Sequence, residues 1–415
     1  MPLAAILPPE LWLIIFDLVI ESGVDLLDDC DFLSFPGVLN RLRYPWTYLP
    51  KGIPALRNLR LVCRSWNELL KAPPCFVMKK PNTPVPGGVR AVYIYPCEES
   101  QSYLQRILAE PLKSRRIVIL DLPGPETFRS RVPFIFDFLC ENSHSLPSVR
   151  SLTLGLHVHP PSAPRTPRFW MRLNDAFPHL VALVLRGHLN TLVDNTSNPV
   201  VFRKLEISDH GMLYPDSSVH FPVLKHAAFD HMYVFQSTGF TGHPLLESLI
   251  FRCIFSEGPK VIWRLVPHLR LIALPSETVN SLASLPPEHP LQHLYIYVES
   301  IPSNQQHLSD NRRKRELTWL KAIVTRLPTI SLITLAYEPR KEVTPGLIRG
   351  DFDEKELKRM GFTSSQRRLS GRGRAIVLRR PQDLVHSQPL IDTLVDTVSQ
   401  ITRFRSPNLR SRLSH

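Results

Sequence analysis

The sequence predicts an α/β chain in which a small helical module is followed by an array of short strands in a parallel sheet with returning helices. Three observations carry that reading. Apolar residues recur at steps of three and four over residues 8–20 and again over 54–70, the period of an amphipathic helix. Beyond residue 88 a short proline-led apolar pattern returns at intervals along most of the chain. Between its copies lie segments with helical periodicity.

The first helix is ILPPELWLIIFDLVIE, residues 6–21. From Pro8 onward, Leu11, Ile14, Ile15 and Leu18 form one apolar stripe, and Trp12, Phe16 and Val19 form a second. Glu10, Asp17 and Glu21 leave only a thin polar strip, so this helix is expected to bury two sides. Residues 22–54 follow, with Asp25, Asp28, Asp29 and Asp31 at one end and Pro45 and Pro50 at the other. They read as an inserted, turn-rich loop. Helical spacing resumes with Leu56, Leu59, Val62, Cys63, Trp66, Leu69 and Leu70, and Pro73 and Pro74 end it. KKPNTPVPGG, residues 79–88, reads as a linker closing a module over 6–78.

The repeated pattern comprises LPSVRSLTL (146–154), FPHLVALVL (177–185), FPVLKHAAF (221–229), HPLLESLIF (243–251), VPHLRLIAL (266–274) and LPTISLITL (327–335). VFRKLEI (201–207) and HPLQHLYIYV (289–298) are looser copies, and GVRAVYIY (88–95) is a candidate first one. Each places a proline ahead of apolar positions two, five and seven residues on, the last two alternating as in a half-buried strand. Proline can lead into a strand but not sit inside a central one. Pro222, Pro244, Pro267 and Pro290 are 22, 23 and 23 residues apart. This falls in the period of leucine-rich repeats, which the region 89–340 resembles without their regular asparagine or cysteine ladder. The resemblance implies a solenoid with one strand per repeat, a parallel sheet and a long concave surface. Returning helices are expected at NDAFPHL and over 310–327, where Asp310 caps and Leu317, Leu320, Ile323, Val324 and Leu327 make the apolar face. Residues 341–401 form a cap region, with a helix from Ser387. The basic tail 402–415 is expected to be disordered.

LPPELWLIIFDLV followed by LRNLRLVCRSWNELL resembles the F-box, a small three-helix module. Leu7, Pro8, Glu10, Leu11, Ile15, Phe16 and Val19 match its first half, and Leu59, Val62, Cys63, Trp66 and Leu70 its second. Combined with leucine-rich-like strands downstream, the arrangement resembles fungal F-box proteins. In that family one apolar stripe packs inside the module and the other docks a Skp-type adaptor, linked to a cullin, while the rest of the chain holds a substrate for ubiquitin transfer. The resemblance therefore implies adaptor contact or its support through Leu7, Pro8, Leu11, Ile15, Phe16 and Trp66. It differs from the compact pattern in the 33 residues that separate the first two helices. Loop closure tolerates this, since each doubling costs only about 0.6 kcal/mol.

The net charge of +13 would point to nucleic acid if it were spread evenly. Residues 301–415 hold 22 Lys and Arg against 11 Asp and Glu, however, which leaves only +2 for residues 1–300. The cluster Arg367, Arg368, Arg372, Arg374, Arg379 and Arg380 reads as a solvated, flexible surface, because no aromatic is interleaved to stack on bases. Six cysteines without a CxxC pair argue against zinc and against a disulfide framework, and place the chain in the cytosol or nucleus. No apolar run is long enough to span a bilayer. His144, His157 and His159 lack a further ligand placed by the sequence, and no metal is expected. No phosphate-cradling glycine loop or GxSxG elbow is present, so neither cofactor nor catalysis is expected. The function expected is a non-catalytic substrate-recognition subunit. The alternative is a repeat scaffold that binds protein or RNA outside any ligase.

Overall fold

The structure is a computed structural model. It describes residues 35–43, 61, 64–69, 75–78, 91–94, 116–119, 136, 139–147, 149–155, 169–186, 199–211, 219–231, 243–253, 266–298, 318, 320–337, 359–368 and 374–380. Two compact units divide the chain, one comprising Met1–Cys30 and Arg41–Leu224, the other Asp31–Asn40 and Lys225–His415. The division falls inside the region read as one array.

The first unit holds β1 (Cys75–Met78), β2 (Ala91–Ile94), β3 (Arg116–Ile119), β4 (Ser151–Gly155), β5 (Ala182–Arg186), β6 (Val200–Val201), β7 (Ile207–Gly211) and β8 (Val219–His220). Its sheet runs β1-β2-β3-β4-β5-β7, parallel at every step, while β6 and β8 pair in a separate short ladder. The first described strand thus lies ahead of the linker, and β3 arises from RIVI, a segment with no proline-led pattern.

The second unit holds β9 (His226–His231), β10 (Ser248–Cys253), β11 (Leu271–Pro275), β12 (His293–Val298), β13 (Leu332–Tyr337), β14 (Thr363–Arg368) and β15 (Arg374–Arg379), in the order β9-β10-β11-β12-β13-β15-β14. The steps are parallel as far as β13, and the last two are antiparallel. The arginine-rich segment read as a flexible surface is therefore a β-hairpin. Ala375, Ile376, Val377 and Leu378 are its buried seam, and that apolar run holds it against β13.

The proline-led pattern works through a turn. In six copies the residue before proline accepts, through its carbonyl, the N–H three positions on, as Phe221 does from Leu224 and Val266 from Leu269, at 3.1–3.3 Å. Proline occupies the second position of this β-turn, where its fixed φ suits the bend and its lack of N–H costs nothing. The flanking apolar residues, such as Phe177 and Leu180, are buried while Pro178 and His179 are exposed. A strand begins four residues after the proline in each of these six copies. The carbonyl just before one strand then accepts two N–H groups from the next repeat. Arg150 receives Val181 and Ala182 at 2.7 and 3.0 Å, and Glu247 receives Arg270 and Leu271 at 2.8 and 3.0 Å. These bonds fix the register in which strands stack.

The alternation expected of half-buried strands is replaced by burial on both faces. On one face of the second sheet, Ala227, Leu249, Ile272, Leu294, Ile333 and Leu378 stand in register. On the other stand Ala228, Ile250, Ala273, Tyr295, Thr334 and Val377. All twelve are buried. LIAL, SLIF and LITLA are near-continuous apolar runs, the mark of parallel strands covered on both sides. The expectation of an open concave face over these strands is corrected accordingly.

Helix α1 (Phe35–Arg43) corrects the reading of 22–54 as a loop. Phe35, Val38, Leu39 and Leu42 are all buried, at the i, i+3, i+4, i+7 spacing of a core-facing stripe, and Pro36 sits in the first turn, where proline is tolerated. In the second unit Phe35 stacks on His226 with ring centroids 5.0 Å apart. In the first unit the Thr153 hydroxyl donates to the Leu42 carbonyl at 3.1 Å, satisfying one of the helix's last acceptors. Helix α2 (Arg64–Leu69) lies in the second half of the F-box-like segment. Helix α3 (Phe169–Ala176) begins ahead of the return expected at NDAFPHL, whose residues 177–180 form the turn instead, and its Phe169 and Trp170 join Phe136, Phe202 and Phe221 in an aromatic cluster. The expected apolar face over 317–327 is borne out at Leu320, Ile323, Val324 and Leu327, all buried behind helical residues 320–326. Between β11 and β12 the return is a 3-10 helix, Ser276–Ser284, with Val279 and Leu282 buried. Among the described residues no helix is long and apolar enough to cross a membrane.

Candidate functional site

Of the six residues assigned to adaptor contact, Leu7, Pro8, Leu11, Ile15 and Phe16 lie outside the described residues, as do the Ser387 helix, the 79–88 linker and the 402–415 tail. Trp66 is half-buried in α2, with Arg64 and Asn67 exposed beside it. Leu61, just upstream, is 74% exposed. His157 and His159 are likewise outside the described residues, and His144 is exposed. Among the described residues no group of three or more His, Cys, Asp or Glu is placed to hold a metal ion.

A site not foreseen from the sequence lies in the first unit, along the edge where its strands begin. A cleft of about 620 Å³ is lined there by Arg150, His179, Arg203, Lys204 and Glu206, with Pro147, Val181 and Val223 as its apolar walls. The repeat geometry explains the convergence. Arg150, Val181 and Glu206 immediately precede β4, β5 and β7, and the carbonyl ladder holds them side by side. Val181 and Ala182 donate to Arg150, and Glu206 and Ile207 donate to Val181 at 2.9 and 3.0 Å. His179 and Lys204 occupy the exposed bends of their turns.

The copy at 201–207 departs from the rule that shapes the others. Where the other turns carry Pro178-His179, Pro222-Val223 or Pro267-His268, this one carries Arg203-Lys204, both exposed, between buried Phe202 and Leu205. Its place in the turn is nonetheless the same, with β7 beginning four residues after Arg203. Lys204 Nζ lies 2.9 Å from His179 Nδ1. An ammonium can only donate, so Nδ1 accepts and the ring proton resides on Nε2. The cleft thus gathers three fixed cations, an imidazole and one carboxylate, in a region of the chain that is otherwise close to neutral.

The signal for this site in the sequence was the absence of proline from one copy. The charges themselves are distributed over 57 positions, from 150 to 206, and only the stacking of repeats unites them. No protein-family model matches the chain, and no curated protein matches it.

Proposed function

We propose that this chain is a substrate-recognition subunit of a cullin-type ubiquitin ligase, in which residues 6–71 hold a Skp-type adaptor and the repeat region holds a protein substrate. The observation that carries the reading is the order LPPEL (7–11), then LVCRSW (61–66), then a parallel repeat array. A first helix with apolar stripes on two sides has more to bury than two short partner helices can cover, and contiguous exposed apolar surface marks a protein-binding site. The exposure of Leu61 in the second half of the same segment supports it. The array supplies rigid turns on which recognition residues can be displayed, and the chain itself performs no chemistry.

Co-expression of the full chain with a Skp-type adaptor tests this. The wild-type chain captures the adaptor, whereas the double variant Ile15→Glu, Phe16→Glu does not, with its circular dichroism unchanged. Undiminished capture by that variant removes the reading, and recovery of a target without any adaptor favours the ligase-independent scaffold.

A further inference from the structure

We infer that the cleft between the turns of β4, β5 and β7 binds a short acidic peptide segment through its carboxylate or phosphate oxyanions. This deepens the recognition-subunit reading and rests on it for its setting, since the acidic segment would belong to the protein that the array holds.

Three features of the cleft point the same way. First, its composition is unbalanced: Arg150, Arg203 and Lys204 face a single carboxylate, Glu206. The corresponding bend positions of the full copies in the second unit, Pro244-Leu245, Pro267-His268 and Pro328-Thr329, carry no lysine, arginine, aspartate or glutamate. Second, Arg203 and Lys204 stand where the other turns use proline and a bend residue. A position that breaks the array's own structural rule in favour of charge is one where function outweighs local stability. Third, two of the groups are already held together: the Lys204 to His179 bond leaves the His179 proton on Nε2, a donor beside the ammonium, and arginine side chains such as those lining the cleft suit bidentate oxyanions.

The same residues argue against a nucleic acid. A phosphodiester backbone carries charge at every step and would be repelled by Glu206, and no Phe, Tyr or Trp lines the cleft as a platform for base stacking. A peptide in which acidic groups alternate with neutral ones meets both the cations and the carboxylate, which can accept a backbone or side-chain N–H.

Fluorescence anisotropy on the full chain tests this with two labelled peptides in which glutamate, or phosphoserine, alternates with neutral residues, and with oligolysine and a short single-stranded RNA. Binding of either acidic peptide, weakening as salt is raised, is expected, and the stronger of the two identifies the oxyanion. Arg203→Glu with Lys204→Glu should weaken it about tenfold or more, and should leave the melting transition in place, since both side chains are exposed. Should that pair unfold the chain, Arg203→Gln with Lys204→Gln should still reduce both affinity and salt dependence. Acidic peptides bound no better than oligolysine, undiminished binding by the folded variants, or RNA bound more tightly than both acidic peptides would overturn the inference. The cleft variants should still capture the adaptor, and the Ile15→Glu, Phe16→Glu chain should still bind acidic peptide, so the two readings fail separately.

Discussion

His293 Nε2 lies 3.3 Å from the Thr334 hydroxyl across the β12–β13 step, with both residues buried. No charged group is needed to hold this pair, and desolvation pushes the imidazole pKa down to about 3 from 6.5. The unfolded chain therefore binds one more proton than the folded chain between those values, and stability must fall as pH drops through that window. His289 is shifted in the same direction, chiefly by desolvation, against the raising effects of its bond to the Val266 carbonyl and of Glu288.

Urea unfolding at pH 7, 6 and 5 should show a midpoint that falls with pH. His293 contributes up to about 1.4 kcal/mol per pH unit once well below 6.5. His293→Leu should flatten that dependence, and an equally steep profile in the variant would place the effect elsewhere.

Phe35→Ala should cost about 3–5 kcal/mol, the usual range for a buried phenylalanine. The ring is fully buried and stacked on His226. Chemical denaturation read by near-ultraviolet circular dichroism measures the loss. A change below about 1 kcal/mol would mean that α1 is not part of the core.

Arg203→Pro should stabilise the chain by about 0.4–1 kcal/mol, because it restores the residue that the other turns use and restricts the unfolded chain. It also removes one cation from the cleft. A higher melting temperature with weaker acidic-peptide binding is the expected combination.

Gly361→Ala should destabilise by about 1–2 kcal/mol. Its φ of +80° lies in the left-handed region, and nothing lies within 4 Å of an added Cβ, so the penalty comes from the backbone alone. Gly361→Asn should cost less, since asparagine tolerates that region better. Differential scanning calorimetry of the two variants provides the comparison.

The turn-and-strand pattern was legible because proline marks each bend and the buried residues keep a fixed distance from it. All six full copies end in a strand of the sheets, and so do the looser ones at 207 and 293. Strands β1 and β3 were not legible, since CFVM and RIVI lack the leading turn. Helix α1 was hidden by the aspartates before it and the prolines after it, although Phe35, Val38, Leu39 and Leu42 already carried helical spacing. The β14–β15 hairpin was hidden by its own arginines, which outweighed AIVL in a reading based on charge. Burial of both sheet faces could have been recognised in LIAL and SLIF had continuity been weighed above alternation. The cleft was invisible for a different reason: it exists only after repeats separated by 25 to 31 residues are stacked, as Arg150 is with Val181, and Pro178-His179 and Val181 are with Arg203, Lys204 and Glu206.

Because strands β4, β5 and β9 to β13 spend their described side chains on interior contacts, the bends between them are where this array can display recognition residues. In the six full copies the bend is held by a backbone hydrogen bond that does not depend on the side chains of its two central residues. Evolution can therefore rewrite those pairs one at a time, from proline and histidine to arginine and lysine, altering what is recognised while leaving the interior that supports it untouched.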